Sequence, residues 1–162
     1  MAGDKVTINR IKLIHPALRD EVSSIYAEIC ERLEGRASCR FTHTLRTFKE
    51  QDDLFAIGRT KPGKIVTNAR AGRSYHNYGM AIDIVLLIGG GASWDITKDY
   101  DGDGKSDWIE VVQVFKEYGW EWGGDWQFKD YPHFQKTMGQ TIAGMLKKYQ
   151  QDKTDAQGYV IL

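Results

Sequence analysis

Ser74-Tyr75-His76-Asn77-Tyr78-Gly79-Met80-Ala81-Ile82-Asp83-Ile84-Val85-Leu86-Leu87-Ile88 holds the two signals on which the reading of this chain turns. Ala81 to Ile88 is apolar and β-rich, which predicts a central strand. Asp83 interrupts that run, and a carboxylate there is costly to bury unless it is paired or bound to a metal. His76 ends the Gly-rich loop leading into the strand, so an imidazole and a carboxylate stand close together at its start.

Upstream of this stretch, His15-Pro16 precedes Leu18, Val22, Ile25, Ile29 and Leu33 at three- and four-residue steps, an amphipathic helix stopped by Gly35 and preceded by a short N-terminal arm. His15 reads as a residue at the helix start. Ser38 to Leu45 alternates, with Cys39, Phe41, His43 and Leu45 on the apolar face, so His43 is expected as a hydrogen-bonded core histidine. Thr47 to Ile57 reads as a helix with a Thr47/Glu50 capping box and Gly58 as its stop. Arg59 to Arg73 is a long basic loop, of the kind that carries function in compact domains.

Downstream, Gly89-Gly90-Gly91 opens an irregular stretch running to Asp107. A helix from Trp108 to Tyr118 turns Ile109, Val112 and Phe115 inward, aromatic-rich loop and strand segments fill Gly119 to Gln135, and Thr141 to Tyr149 forms the last helix. The tail from Gln150 is polar and expected to be loosely held. Helices and strands mix without a βαβ rhythm, which gives an α+β class. The domain organisation expected is one catalytic unit, 1–150, with a polar C-terminal tail, 151–162.

The 162 residues include 22 Lys+Arg and 22 Asp+Glu, with 41% hydrophobic and 12% aromatic residues. Such a chain can bury a core without cross-links, which excludes a disordered protein. Zero formal net charge and no Lys/Arg-rich run argue against nucleic acid as a partner. The N-terminus Met1-Ala2-Gly3-Asp4-Lys5 scatters charge where a secretion signal needs an apolar run, and no stretch is long enough for membrane insertion. A chain made in the cytoplasm and acting as a monomer is expected, with Cys30 and Cys39 as free thiols.

A second segment, Asp130-Tyr131-Pro132-His133-Phe134, sets an acid three residues before a histidine at the entrance to another short strand. Two ligands close together with a third about fifty residues on is the usual layout of a catalytic zinc site with three protein ligands and an open position. His76, Asp83 and His133 are suitable ligand types, though spacing alone leaves each histidine open to being a satisfied loop or strand residue. Asp99-Tyr100-Asp101-Gly102-Asp103-Gly104, with Asp107 at the ninth position and Glu110 at the twelfth, matches the calcium-loop pattern. Ser106 at the usually apolar eighth position and the absence of an entering helix depart from it, and the alternative is a solvated acidic turn. Trp120, Trp122, Trp126, Phe128, Tyr131 and Phe134 crowd the third zinc-ligand candidate; most read as core, and one or two, with Tyr78, as the wall of a peptide groove.

The pattern S-x-H-x-x-G-x-A-x-D followed by a distant D/E-x-x-H, complete here in Ser74, His76, Gly79, Ala81, Asp83, Asp130 and His133, resembles the zinc D-Ala-D-Ala/L-Ala-D-Glu peptidases and, more remotely, the Hedgehog signalling domain. Leu45-Arg46-Thr47-Phe48, Gln51-Asp52, Gly58 to Gly63 and Trp122 to Trp126 bring the resemblance closest to the L-alanyl-D-glutamate peptidase branch, which includes phage endolysins. The resemblance implies a small antiparallel sheet flanked by helices. It also implies His76, Asp83 and His133 as zinc ligands, Asp130 as catalytic acid/base where many relatives carry Glu, and Arg46 as the arginine polarising the scissile carbonyl. The implied activity is hydrolysis of the L-Ala-D-Glu bond of peptidoglycan stem peptides.

Two other readings compete with it. A D,D-carboxypeptidase or dipeptidase needs a cation for the substrate's C-terminal carboxylate, for which Arg59, Arg70 and Arg73 are candidates. A non-catalytic peptidoglycan-binding module would have no need of Asp130. An enzyme of the wall without an export signal is expected to reach its substrate after release by a holin or by lysis.

Overall fold

The computed structural model describes residues 3–162; Met1 and Ala2, the first residues of the charged N-terminus, lie outside it. Its centre is a five-stranded antiparallel sheet: β1 (Ala37–His43), β2 (Ala81–Ile88), β3 (Gly91–Ser93), β4 (Glu121–Trp122) and β5 (His133–Gln135). β1 runs along one edge of β2; β3 and β5 share the other, at opposite ends, and β4 lies outside β5. The central place expected for Ala81–Ile88 is therefore the place it takes. β3 lies within the stretch expected to be irregular. Gly89 and Gly90 both have positive φ, 57° and 83°, the backbone a two-residue I′ hairpin turn requires, so the chain folds straight back on β2.

The helices are α1 (Lys5–Ile11), α2 (Arg19–Arg32), α3 (Phe48–Ala56), α4 (Asp107–Glu117) and α5 (Ile142–Gln150). Val22, Ile25 and Ile29 of α2 and Trp108, Val114 and Phe115 of α4 are buried against Phe41, Ile82, Ile84 and Phe134 of the sheet. Phe115 stacks on Phe134 with ring centroids 4.1 Å apart. Ile109, expected inward on α4, lies at the rim, while Trp108, Val111 and Val114 take the inner face. α3 has the expected capping box, Thr47 accepting from Glu50 N while Glu50 accepts from Thr47 N.

The N-terminal arm is a helix. Asp4 caps α1, accepting from Thr7 N at 3.0 Å and from Arg40 Nε and Nη2 at 3.0 and 2.7 Å. Thr7 Oγ1 in turn accepts from Phe41 N. The pattern of α1 is short and mostly polar, so its stability comes from this tie to β1 rather than from periodicity.

Two further expectations are corrected. Between Phe41 and His43 two residues of β1 face one step of β2, from Ile84 to Asp83, so a β-bulge at Thr42 reverses the alternation. His43 is thereby turned outward, its side chain 58% exposed, and Thr44 is buried instead. The C-terminal tail is packed rather than loose. Tyr159 and Val160 are buried, Tyr159 Oη donates to Leu13 O, and His15 Nε2 donates to Val160 O at 2.8 Å. His15 Nδ1 also accepts from Ala17 N, which caps the turn at Pro16–Leu18 as its sequence position suggested.

Candidate metal centre and active site

The turn before β2 is built by its own side chains. Ser74 accepts from His76 N, and Asn77 Oδ1 accepts from Ser74 N, a reciprocal cap around the one-turn helix Tyr75–Tyr78. Gly79 follows with φ 69°, and a Cβ there would meet His15 N at 2.7 Å, so no other residue fits. This closure aims the His76 ring back over the start of β2. There β5 pairs so that His133 lies directly across from Asp83.

His76, Asp83 and His133 thus offer ligand atoms within 4.8 Å of one another. Each ring has its second nitrogen engaged: His76 Nδ1 donates to Thr44 O at 2.8 Å, and His133 Nε2 to Gln135 Oε1 at 2.9 Å. Gln135 is itself tied to Glu121. His76 Nε2 is left buried and without a hydrogen bond, 3.2 Å from Asp83 Oδ1, while His133 Nδ1 lies 3.1 Å from the same oxygen. An orphaned imidazole nitrogen, a second one and a carboxylate facing a common point, each imidazole fixed from behind, suit a zinc ion. Burial by itself would raise the Asp83 carboxyl, but the His133 hydrogen bond and the two imidazoles, His76 lying 3.2 Å away, hold it well below the usual carboxylate range.

Arg46 is not a surface residue. Its side chain is 14% exposed, Nη1 donates to Gln51 Oε1, and Nη2 lies 3.8 Å from Asp83 Oδ2. Gln51 is fully buried on α3 and also donates to Ala69 O, so it joins Arg46 to the basic loop. Asp130 lies at the exposed edge. Protein packed around its carboxyl and the Asp83 charge raise its pKa, against the His133, His76 and Arg46 charges. Gly123 makes that placement possible, since a Cβ on it would come within 2.3 Å of Asp130 O.

Reasoning on sequence missed Thr44, Gln51 and Gln135. In sequence Gln51 stands only as part of the Gln51-Asp52 motif, and Gln135 carries a signal only in standing two residues after His133. Thr44 carried none, because the bulge that buries it is invisible in the alternation.

A cleft of about 610 Å³ adjoins the centre through His43, Thr44 and Arg46, with Arg10, Leu54, Ile57 and Lys61 along it. Arg59 and Arg70 are turned elsewhere, stacked over the Phe55 ring at 3.8 and 4.5 Å, and Arg59 also donates to Phe55 O and Thr67 O. Tyr78 is buried, donating to Gly72 O, and lines a separate, smaller pocket with Phe48 and Tyr149. Trp120, Trp122 and Phe134 are core, whereas Phe128 is 86% exposed and Trp126 packs beside His133. Cys30 and Cys39 are free, and burial pushes the Cys39 thiol far up. The acidic loop brings Asp99, Asp101 and Asp107 into one cluster and Asp101, Asp103 and Glu110 into another.

Two histidines and an aspartate, three protein ligands with a cleft alongside, suit a catalytic rather than a closed structural zinc site, and on this α+β sheet the class is that of a metallopeptidase. Known proteins agree with that class. Residues 67–136 match the family model described as D-alanyl-D-alanine carboxypeptidase. The chain is 47% identical over 124 residues, 75% of its length and 72% of the relative's, to the peptidoglycan L-alanyl-D-glutamate endopeptidase CwlK of Bacillus subtilis. It is 39% identical over 64 residues, 39% of its length and 21% of the relative's, to the L-alanyl-D-glutamate peptidase of Listeria phage A118. The crystal structure of the Serratia marcescens L-Ala D-Glu endopeptidase ChiX superposes with a TM-score of 0.54 at 26% identity, over 83% of this chain and 88% of that one. The chain belongs to the zinc D-Ala-D-Ala/L-Ala-D-Glu peptidase family, on its L-alanyl-D-glutamate peptidase branch.

Proposed function

We propose that this protein is a zinc-dependent endopeptidase that hydrolyses the L-Ala-D-Glu bond of peptidoglycan stem peptides, as a monomer built on one catalytic domain, in lysis or remodelling of the cell wall. The observation that carries the reading is the pair of imidazoles, each held from behind by an acceptor and each turned toward Asp83 beside Arg46 and the cleft. The bond is supported by the Bacillus and Serratia relatives, both named for it.

In this reading His76 Nε2, Asp83 and His133 Nδ1 hold the zinc. When bound, zinc supplies Lewis acidity, which drains charge from a carbonyl oxygen and eases deprotonation of water. Asp130 takes the proton of the attacking water and returns it to the leaving amine, and its raised pKa brings it nearer the range where both transfers are balanced. Arg46, tethered by Gln51, directs positive charge at the oxygen that becomes negative. The cleft carries both signs of charge, Arg10, Arg46 and Lys61 beside Glu50 and Asp53, with Lys61 paired to Asp53 at 3.3 Å. The D,D-carboxypeptidase alternative is disfavoured because Arg59 and Arg70, two of its three candidate carboxylate binders, are occupied with Phe55.

Digestion of purified muropeptides by the zinc-loaded protein, with mass analysis of the products, tests the proposal. Cleavage after L-Ala, abolished by a chelator and by Asp130→Asn, is the expected result. Release of free D-Ala would overturn the bond assignment, and binding of muropeptides without any cleavage would favour the binding module.

A further inference from the structure

We propose that Asp99–Glu110 is a calcium site, separate from the peptidase centre and independent of which bond that centre cuts. The loop has twelve positions, with carboxylates at the first, third, fifth, ninth and twelfth. Its backbone is wound around them: Asp99 accepts from Gly102 N and Gly104 N at 2.6 and 2.9 Å, Asp101 from Asp103 N at 3.1 Å, Asp103 from Lys105 N at 2.8 Å, and Asp107 from Tyr100 N at 2.7 Å. Gly104, at the sixth position, has φ 92°, the sharp turn such loops need. Oxygens of Asp99, Asp101 and Asp107 lie within 4.8 Å of one another, as do those of Asp101, Asp103 and Glu110, so Asp101 is common to both groups.

That geometry alone would fit a solvated acidic turn. A second observation points to a ligand. Asp107 is fully buried and Glu110 is 5% exposed, and Asp107 Oδ2, Glu110 Oε2 and Asp101 Oδ2 are buried with no hydrogen-bond partner. Unpaired carboxylates are not buried together without a compensating cation. Among the described residues the one basic group in an ion pair with the cluster is Lys105, 3.9 Å from Asp103 and with a 65% exposed side chain, too distant and too hydrated to neutralise it.

Carboxylate-rich oxygen shells with irregular spacing suit calcium better than magnesium, which demands near-octahedral geometry and keeps its waters. The two departures from the calcium-loop pattern have a structural reason. The loop enters from the β3 hairpin instead of a helix, and Ser106, at the usually apolar eighth position, accepts from Ile109 N to cap α4 and donates to Ile96 O at 2.6 Å. It serves the helix where a paired loop would need an apolar contact. Asp107 and Glu110 open α4, whose inner face carries Phe115 onto Phe134, the neighbour of His133. Calcium thereby fastens the helix that backs β5.

The test is terbium titration of the full chain with zinc already loaded, read by luminescence sensitised through Trp108 and Tyr100, together with thermal unfolding in calcium. Terbium emission displaced by calcium but not by equal magnesium is expected. Tm should rise by about 5 °C or more at a hundredfold excess of calcium over Kd. Both responses should be lost in Glu110→Gln and in Asp99→Asn, whose exposed side chain makes it the variant least able to disturb the core. Wild-type protein that shows neither emission nor a calcium-dependent Tm, or an undiminished response in Asp99→Asn and Glu110→Gln, would overturn the assignment.

Discussion

Asp83 is the residue whose misfit in an apolar strand first marks the site, and its neighbours explain the misfit: two imidazoles make it affordable to keep an ionised carboxylate almost out of water. His76, His133 and Asp130 were equally legible, because their chemistry and spacing are local. Their supports were not. Gln135 touches His133 through a side chain that any polar residue could imitate in sequence, yet it sets which nitrogen faces Asp83. Gln135→Ala should weaken zinc binding by about 10–100-fold in competition with a chromogenic chelator while the fold persists. Asp130→Asn should lower kcat by about 10²–10⁴-fold with little change in thermal stability, because the residue lies at the exposed edge. Steady-state kinetics beside a thermal melt separates that outcome from misfolding.

At the scale of elements, α2, α3, α4, α5 and β2 follow from periodicity and caps, whereas α1, β3 and the end of β1 do not. The bulge at Thr42 is decided by pairing with β2, and no alternation of apolar residues in β1 announces it. It takes His43 out of the core and sets Thr44 O where His76 needs an acceptor. α1 is held from outside through Asp4, whose carboxyl the Arg40 hydrogen bonds lower from 3.8 to about 2. A depressed carboxyl stabilises fully above its unfolded pKa and loses that contribution as pH falls through the folded one. Asp4→Ala should therefore cost about 1–2 kcal/mol at pH 7. In urea unfolding the gap to wild type should shrink by about half at pH 3. A gap independent of pH would mean that the cap, not the charge, carries the effect.

For the whole molecule, the α+β class holds, and the tail is the main revision. Residues beyond Gln150 look dispensable by composition, but Tyr159 and Val160 close the face around His15 and Leu13, against which Gly79 packs. Removing residues 151–162 should lower stability by about 3 kcal/mol or more, visible as a fall in Tm, since two buried side chains and their hydrogen bonds are lost. No helix among the described residues is long and apolar enough to cross a membrane. Family, sheet strand, metal-ligand candidates and acidic loop were determined by the sequence itself, because each depends on residue types at short, regular intervals. The direction His43 faces, the acceptors behind both imidazoles, the burial of Arg46 and the orphaned oxygens of Asp107 and Glu110 were decided only in three dimensions. Each depends on which backbone group or surface comes to lie beside a side chain from a distant part of the chain.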